Sequence, residues 1–148
     1  MSELFEKSMR TLELPRVLAM LSELAVSEEA KRRALASTPE TEPEEVLRLL
    51  DQTDAARELI GLRGSPSFSG VKPVREALDR ADRGGGLNTR ELLTIAGLLT
   101  AARRTREYFS SHTGEKTAVD HLFLSLHGNR FLEDRIKSVI LDEDAISD

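Results

Sequence analysis

Six arginines in the middle third of the chain are the side chains best suited to chemistry: Arg75, Arg80 and Arg83, then Arg103, Arg104 and Arg106. A guanidinium is a planar fork of donors that matches the oxygens of a phosphate. On a helix Arg103 and Arg106 fall three apart, so together they could address one backbone phosphate, with Tyr108 near enough to stack on a base. The plainer alternative, which we prefer, pairs Arg103 with Glu107, leaves Arg104 in solvent and gives Tyr108 to the core. The whole chain carries a net charge of -5, whereas a dedicated nucleic-acid binder is usually basic. Residues 70–113 nevertheless hold eight basic and five acidic side chains, and the segments on either side are both acidic. Only the middle third could attract phosphate.

Other constellations stop short of a reaction. Gly84-Gly85-Gly86 precedes a helix start, where free amides and the helix dipole favour anions. A nucleotide loop would also need a strand before it and Lys followed by Ser or Thr after it, but Leu87 and Asn88 stand there. An inter-helix turn is the better reading. Gly114-Glu115-Lys116-Thr117 fails because Glu115 separates Gly from Lys. His121 and His127 are six apart, whereas ligands on one helix face are three or four apart, and His112 lies in a loop. No serine sits in a Gly-x-Ser-x-Gly elbow. Asp142, Glu143 and Asp144 share only charge with a calcium loop. The chain has no cysteine, which removes disulfides and thiolate metal sites. Catalytic, metal-ligating and cofactor-binding residues are therefore expected nowhere in it, and the six arginines remain the one candidate site.

The elements that position these arginines read as helices. Apolar residues make up 39% of the chain and aromatics 4%, with no Trp, a mix that favours helix over sheet. Its 148 residues suit a single domain spanning 1–148. The organising stretch is Asn88 onward. Asn88 can cap a helix, with Glu91 completing a capping box, and Leu92, Ile95, Ala96, Leu99 and Ala102 form a stripe that Leu93, Leu98, Ala101, Thr105 and Tyr108 widen. The helix should run to Phe109 and be covered on two sides.

Around it, a short helix is expected over Glu3–Thr11. The next carries Pro15 in its first turn, with Leu14, Val17, Leu18, Leu21, Leu24 and Ala25 on its inner face. Ser27 should cap a third, whose Lys31, Arg32 and Arg33 balance Glu28 and Glu29 in solvent. A helix of about five turns begins at Pro43 and buries Val46, Leu49, Leu50, Thr53, Ala56 and Ile60. Residues 61–70 end it in a loop anchored by Phe68, and a short helix from Val71 or Pro73 to Ala81 follows. Val119–Leu126 and Leu132–Ile140 pattern two more, and the chain closes in a short extended segment. The class is all-α, an irregular helical bundle. The amino terminus lacks the basic flank and apolar run of a signal peptide, and no apolar run approaches a membrane span, so a cytoplasmic location away from membranes is the default.

Thr11-Leu-Glu-Leu-Pro-Arg-Val-Leu-Ala-Met-Leu, Phe68-Ser-Gly-Val-Lys, Leu78-Asp-Arg-Ala-Asp-Arg-Gly-Gly-Gly-Leu and Ile140-Leu-Asp-Glu-Asp-Ala-Ile-Ser-Asp follow one another in an order and spacing that resembles the amino-terminal region of the second bacterial MutS type, MutS-two. Arg80 to Leu87 and the closing Ile-Ser-Asp are the most specific parts. Pro15, Arg16 and Pro73 depart from it, standing where such proteins often carry Asp or Lys. The resemblance implies a core or lever domain excised from a longer protein, which would also hold a DNA-embracing clamp, an ABC-type ATPase using ATP and Mg, and often a small nuclease domain. It further implies a homodimeric parent linked to branched DNA, suppression of homologous recombination and, in some bacteria, rescue of collided ribosomes. No ATPase or nuclease motif of that family matches a position here. The function expected is a mechanical one, relaying movement between other domains of the same protein. A nucleic-acid surface formed by the six arginines is the alternative.

Overall fold

A computed structural model describes residues 3–68, 70–110 and 116–140. Among them the chain is all-α, with no strand, and Ile140, just past the last helix, is extended. The closing extended segment expected after Ile140 lies outside the described residues, as do His112 and the Asp142–Asp144 cluster. The chain divides into two compact units, residues 1–39 and 40–148.

The first unit contains α1 (Glu3–Thr11), α2 (Leu14–Leu24) and α3 (Glu28–Leu35). Glu13 turns the chain from α1 into α2 in the left-handed region, φ 55°. Its carbonyl then accepts the amides of Arg16 and Val17, and Pro15 takes the first turn of α2, where a missing N–H costs nothing. Ser27 caps α3, its hydroxyl accepting the Ala30 amide at 3.2 Å. Lys31 pairs with Glu28 at 2.8 Å and Arg32 pairs with Glu29; Lys31 is half-covered and the other three are exposed. α2 packs on both α1 and α3. The buried positions are small, Ser22 and Ala34. Leu14 and Leu18 are half-covered, whereas Val17, Leu21 and Leu24, assigned to the same face, stay exposed. The apolar stripe of α2 is wider than the surface its two neighbours cover.

The second unit contains α4 (Pro43–Arg63), α5 (Arg75–Asp82), α6 (Thr89–Ser110), α7 (Asp120–Leu124) and α8 (Arg130–Val139). α6 packs along α8 and against α7. Its Ala96 is 1% exposed and forms a core with Ile136 and Ile140, against which Leu92, Leu93 and Ile95 are packed. α4 runs through Gly61 rather than ending there, because a lone glycine only weakens a helix. Gly64, at φ 75°, ends it instead, its amide donating to the Ile60 carbonyl at 2.8 Å. The covered side of α4 carries Gln52, Ala55, Ala56 and buried Leu59, while Leu50 and Ile60 of the expected stripe are exposed. Phe68 is not an anchor under its loop, being 43% exposed. α5 starts at Arg75, later than expected, and Leu78 is left exposed. α7 has only five residues, ending at Leu124 before Leu126.

Candidate nucleic-acid interface

Arg80 belongs to the last turn of α5, and the glycines after it close that turn as a Schellman motif. The Gly85 amide donates to the Arg80 carbonyl at 3.0 Å and the Gly84 amide to the Ala81 carbonyl at 2.9 Å, with Gly84 at φ 85°. The Arg80 stem lies across Gly85, where an added Cβ would stand 2.6 Å from Arg80 Cγ. The guanidinium then spans the turn: Nε donates to the Gly86 carbonyl at 3.2 Å and Nη2 to Glu91 Oε2. Glu91 also accepts the Asn88 amide at 3.0 Å, and Asn88 Oδ1 accepts the Glu91 amide at 2.9 Å, which is the capping box of α6. Arg80 first, and the Asn88 amide second, hold the Glu91 carboxyl below its usual range. With the amides of Gly84 and Gly85 spent on α5 carbonyls, this turn does not fit a phosphate cradle.

Arg103 is held more firmly. Its Nε and Nη2 reach the two carboxylate oxygens of Glu133 on α8 at 3.3 and 3.2 Å, and Nη1 donates to Glu107 at 3.0 Å. Glu133 is 3% exposed. Its Oε1 also accepts Lys137 Nζ at 2.8 Å and lies 2.8 Å from the Thr100 hydroxyl, which in turn lies 2.7 Å from Lys137 Nζ and 2.8 Å from the Ala96 carbonyl. A hydroxyl has one proton. The ionised carboxylate and the Ala96 carbonyl both only accept, so the single Thr100 proton serves these two acceptors and its lone pairs face Lys137. Arg103 first, then Lys137, outweigh the effect of burial and depress the Glu133 carboxyl to about 2, while Arg103 is raised.

The other four candidates stand at the surface. Arg106 donates to the Leu126 carbonyl at 2.8 Å, tying α6 to the turn before α8, and Arg83 donates to the Asp79 carbonyl of its own helix at 3.0 Å. Arg75 and Arg104 are exposed and make no hydrogen bond or ion pair with a described residue. Tyr108 is half-buried. Its hydroxyl reaches the Gly64 carbonyl at 2.7 Å and the Leu59 carbonyl at 3.3 Å, and Arg63 donates to the Tyr108 carbonyl at 2.6 Å with its guanidinium 5.0 Å from the ring centre. Phe109 stacks on Phe123 at 4.8 Å. The ring is thus packed where α4 meets α6, and the structure brings no two of the six arginines onto one shared group.

No family model matches the chain. Whole-protein comparison does find relatives. The chain is 39% identical over 145 residues to the Endonuclease MutS2 of Ruminiclostridium cellulolyticum, covering 97% of this chain and 18% of that protein. It is 36% identical over 146 residues to the Endonuclease MutS2 of Acetivibrio thermocellus and 31% identical over 145 residues to that of Clostridium beijerinckii, with the same coverage of each. This chain is a MutS2-type segment.

It spans about a fifth of the length of the curated MutS2 relatives it matches. Within this MutS2-type segment the groups that sequence reasoning passed over are Glu133, Lys137, Thr100 and Arg63. Glu133 and Lys137 are four apart on one helix, a spacing that signals a surface pair, and nothing in the spacing showed that the pair faces α6. Arg103 with Glu107 is the pairing the sequence did offer, and exposed Arg104 agrees with the same reading.

Proposed function

We propose that this segment is an amino-terminal core or lever module of a MutS2-type protein, transmitting movement between an ATPase and a DNA-embracing clamp that lie elsewhere in the longer polypeptide. The observation that carries this reading is where the polar chemistry goes. Glu133, Arg103, Lys137 and Thr100 converge on one another between α6 and α8, and Arg80 converges on the α5–α6 turn. Groups committed to one another join helices into bodies that move together, and rigid bodies are what a lever needs. Likeness to proteins named Endonuclease MutS2 over nearly the whole chain supplies the context. In that context ATP and Mg belong to the ATPase and hydrolysis of DNA to a nuclease domain, with no catalytic residue in this segment. The parent works in the cytoplasm as a homodimer on branched DNA, suppressing homologous recombination, and in some bacteria acts at collided ribosomes.

The test is a graft. A MutS2 protein whose corresponding segment is replaced by this chain should keep nucleotide-dependent release of branched DNA. Ala96→Asp in the graft should leave ATP hydrolysis running while abolishing that nucleotide response. Hydrolysis and release failing together in proportion would count against a relay.

A second reading, in which the segment touches nucleic acid itself, draws on exposed Arg75 and Arg104. Binding of branched DNA or ribosomal RNA by the isolated chain, weakened by salt and by Arg75→Ala with Arg104→Ala, would favour it.

A further inference from the structure

The contact between α6 and α8 is antiparallel: Gly128 lies beside Arg103, Glu133 beside Thr100 and Arg103, and Ile136 and Ile140 beside Ala96. Its apolar part is undiscriminating. Ile136, and Ile140 just past the end of α8, meet Ala96 with Leu92, Leu93 and Ile95 packed around them, while Leu132, 40% exposed, stays outside the contact. If α8 slid by one turn toward the start of α6, about 5.4 Å, Ile136 would still meet apolar side chains, those of Leu92 and Leu93. Hydrophobic burial is non-directional and separates the two placements poorly.

Glu133 separates them. In the observed placement its carboxylate meets Arg103, Lys137 and Thr100 at 2.8–3.3 Å. Slid one turn toward the start of α6, it would lie against Ala96 and Leu99, a buried charge deprived of Arg103 and Thr100. Slid the other way, it would face Glu107, a like charge. A carboxylate 3% exposed in an otherwise apolar contact is a poor source of net stability, because an apolar side chain of similar volume would avoid its desolvation. As a means of penalising wrong placements it is effective, since each one parts the buried charge from Arg103, its cation across the contact, and leaves it only Lys137 of its own helix.

We propose that Glu133 is a register lock, selecting one axial placement of α8 on α6. The lock is built into the segment itself and does not depend on what the segment is attached to. Because α8 ends at Val139 and Ile140 follows it in extended conformation, the selected placement also fixes where the chain leaves the helix pair.

The chain has no cysteine, so Arg104→Cys on α6 and Ser138→Cys on α8, both exposed positions, give a unique pair of spin labels in the full 148-residue chain. With Glu133 present, the inter-label distance should form a single narrow distribution. Glu133→Met leaves Arg103 and Lys137 free to turn to solvent; its helicity should be retained, and a second distance, shifted by about one helical turn, should emerge. An unchanged single distribution in folded Glu133→Met would overturn the lock, since apolar packing alone would then set the placement. Should Glu133→Met not fold, Glu133→Gln carries the test with the same two readings.

Discussion

Glu133 has a measurable signature in acid. Its native carboxyl is held at about 2 by Arg103 and Lys137, below the usual carboxylate value of about 4.3. A depressed native value adds stability that is fully present above the ordinary value and lost as pH falls through the native one. Urea midpoints of the chain and of Glu133→Gln should therefore differ by a constant amount from pH 7 to pH 5 and converge between about 4.5 and 2. A gap that persists unchanged at pH 2 would show that the carboxylate charge is not what holds the network. Gly85 gives a second test on this scale. Gly85→Ala would place a methyl 2.6 Å from Arg80 Cγ and 3.0 Å from its carbonyl, forcing Arg80 off Gly86 and Glu91. A cost of about 1–2 kcal/mol is expected, and less in an Arg80→Ala background, where only the carbonyl contact remains.

Helix ends and helix contacts make separate predictions. Asn88→Ala removes the acceptor for the Glu91 amide and should cost about 1 kcal/mol in thermal or urea unfolding. Tyr108→Phe deletes the hydroxyl that holds the end of α4 through the Gly64 carbonyl at 2.7 Å. It should cost about 1 kcal/mol and raise amide exchange in the last turn of α4 while leaving α8 protected. Equal loosening of both helices would mean that the tyrosine is a general core residue rather than the tie between α4 and α6. The capping box was readable in advance because Asn88 and Glu91 act across three residues of one helix. The Tyr108 tie joins positions more than forty residues apart, and the stripe of α4 pointed elsewhere, toward Leu50 and Ile60, which are exposed.

For the whole chain, charge and exposed surface set the expectations. With a net charge of -5 and both Arg80 and Arg103 engaged within the protein, the isolated chain should show no retention of branched DNA at about 150 mM salt in a mobility-shift assay, since exposed surface cations act through a screened field. Retention there that Arg75→Ala with Arg104→Ala removes would move the reading from lever to contact surface. Leu24, Leu47 and Leu62 are mostly exposed, in keeping with a segment matching 18% of its relatives' length. The sequence by itself determined that the chain is helical, where Ser27 and Asn88 begin helices, that Gly84–Gly86 is a turn between helices, and the kinship with MutS2 proteins. These features depend on neighbours a few residues apart or on residue order alone. Tertiary structure alone decided which side of each helix is covered and that Glu133 meets Arg103. Helical periodicity marks a face as apolar without naming what lies opposite, and a pairing across thirty residues exists only once two helices have settled against each other.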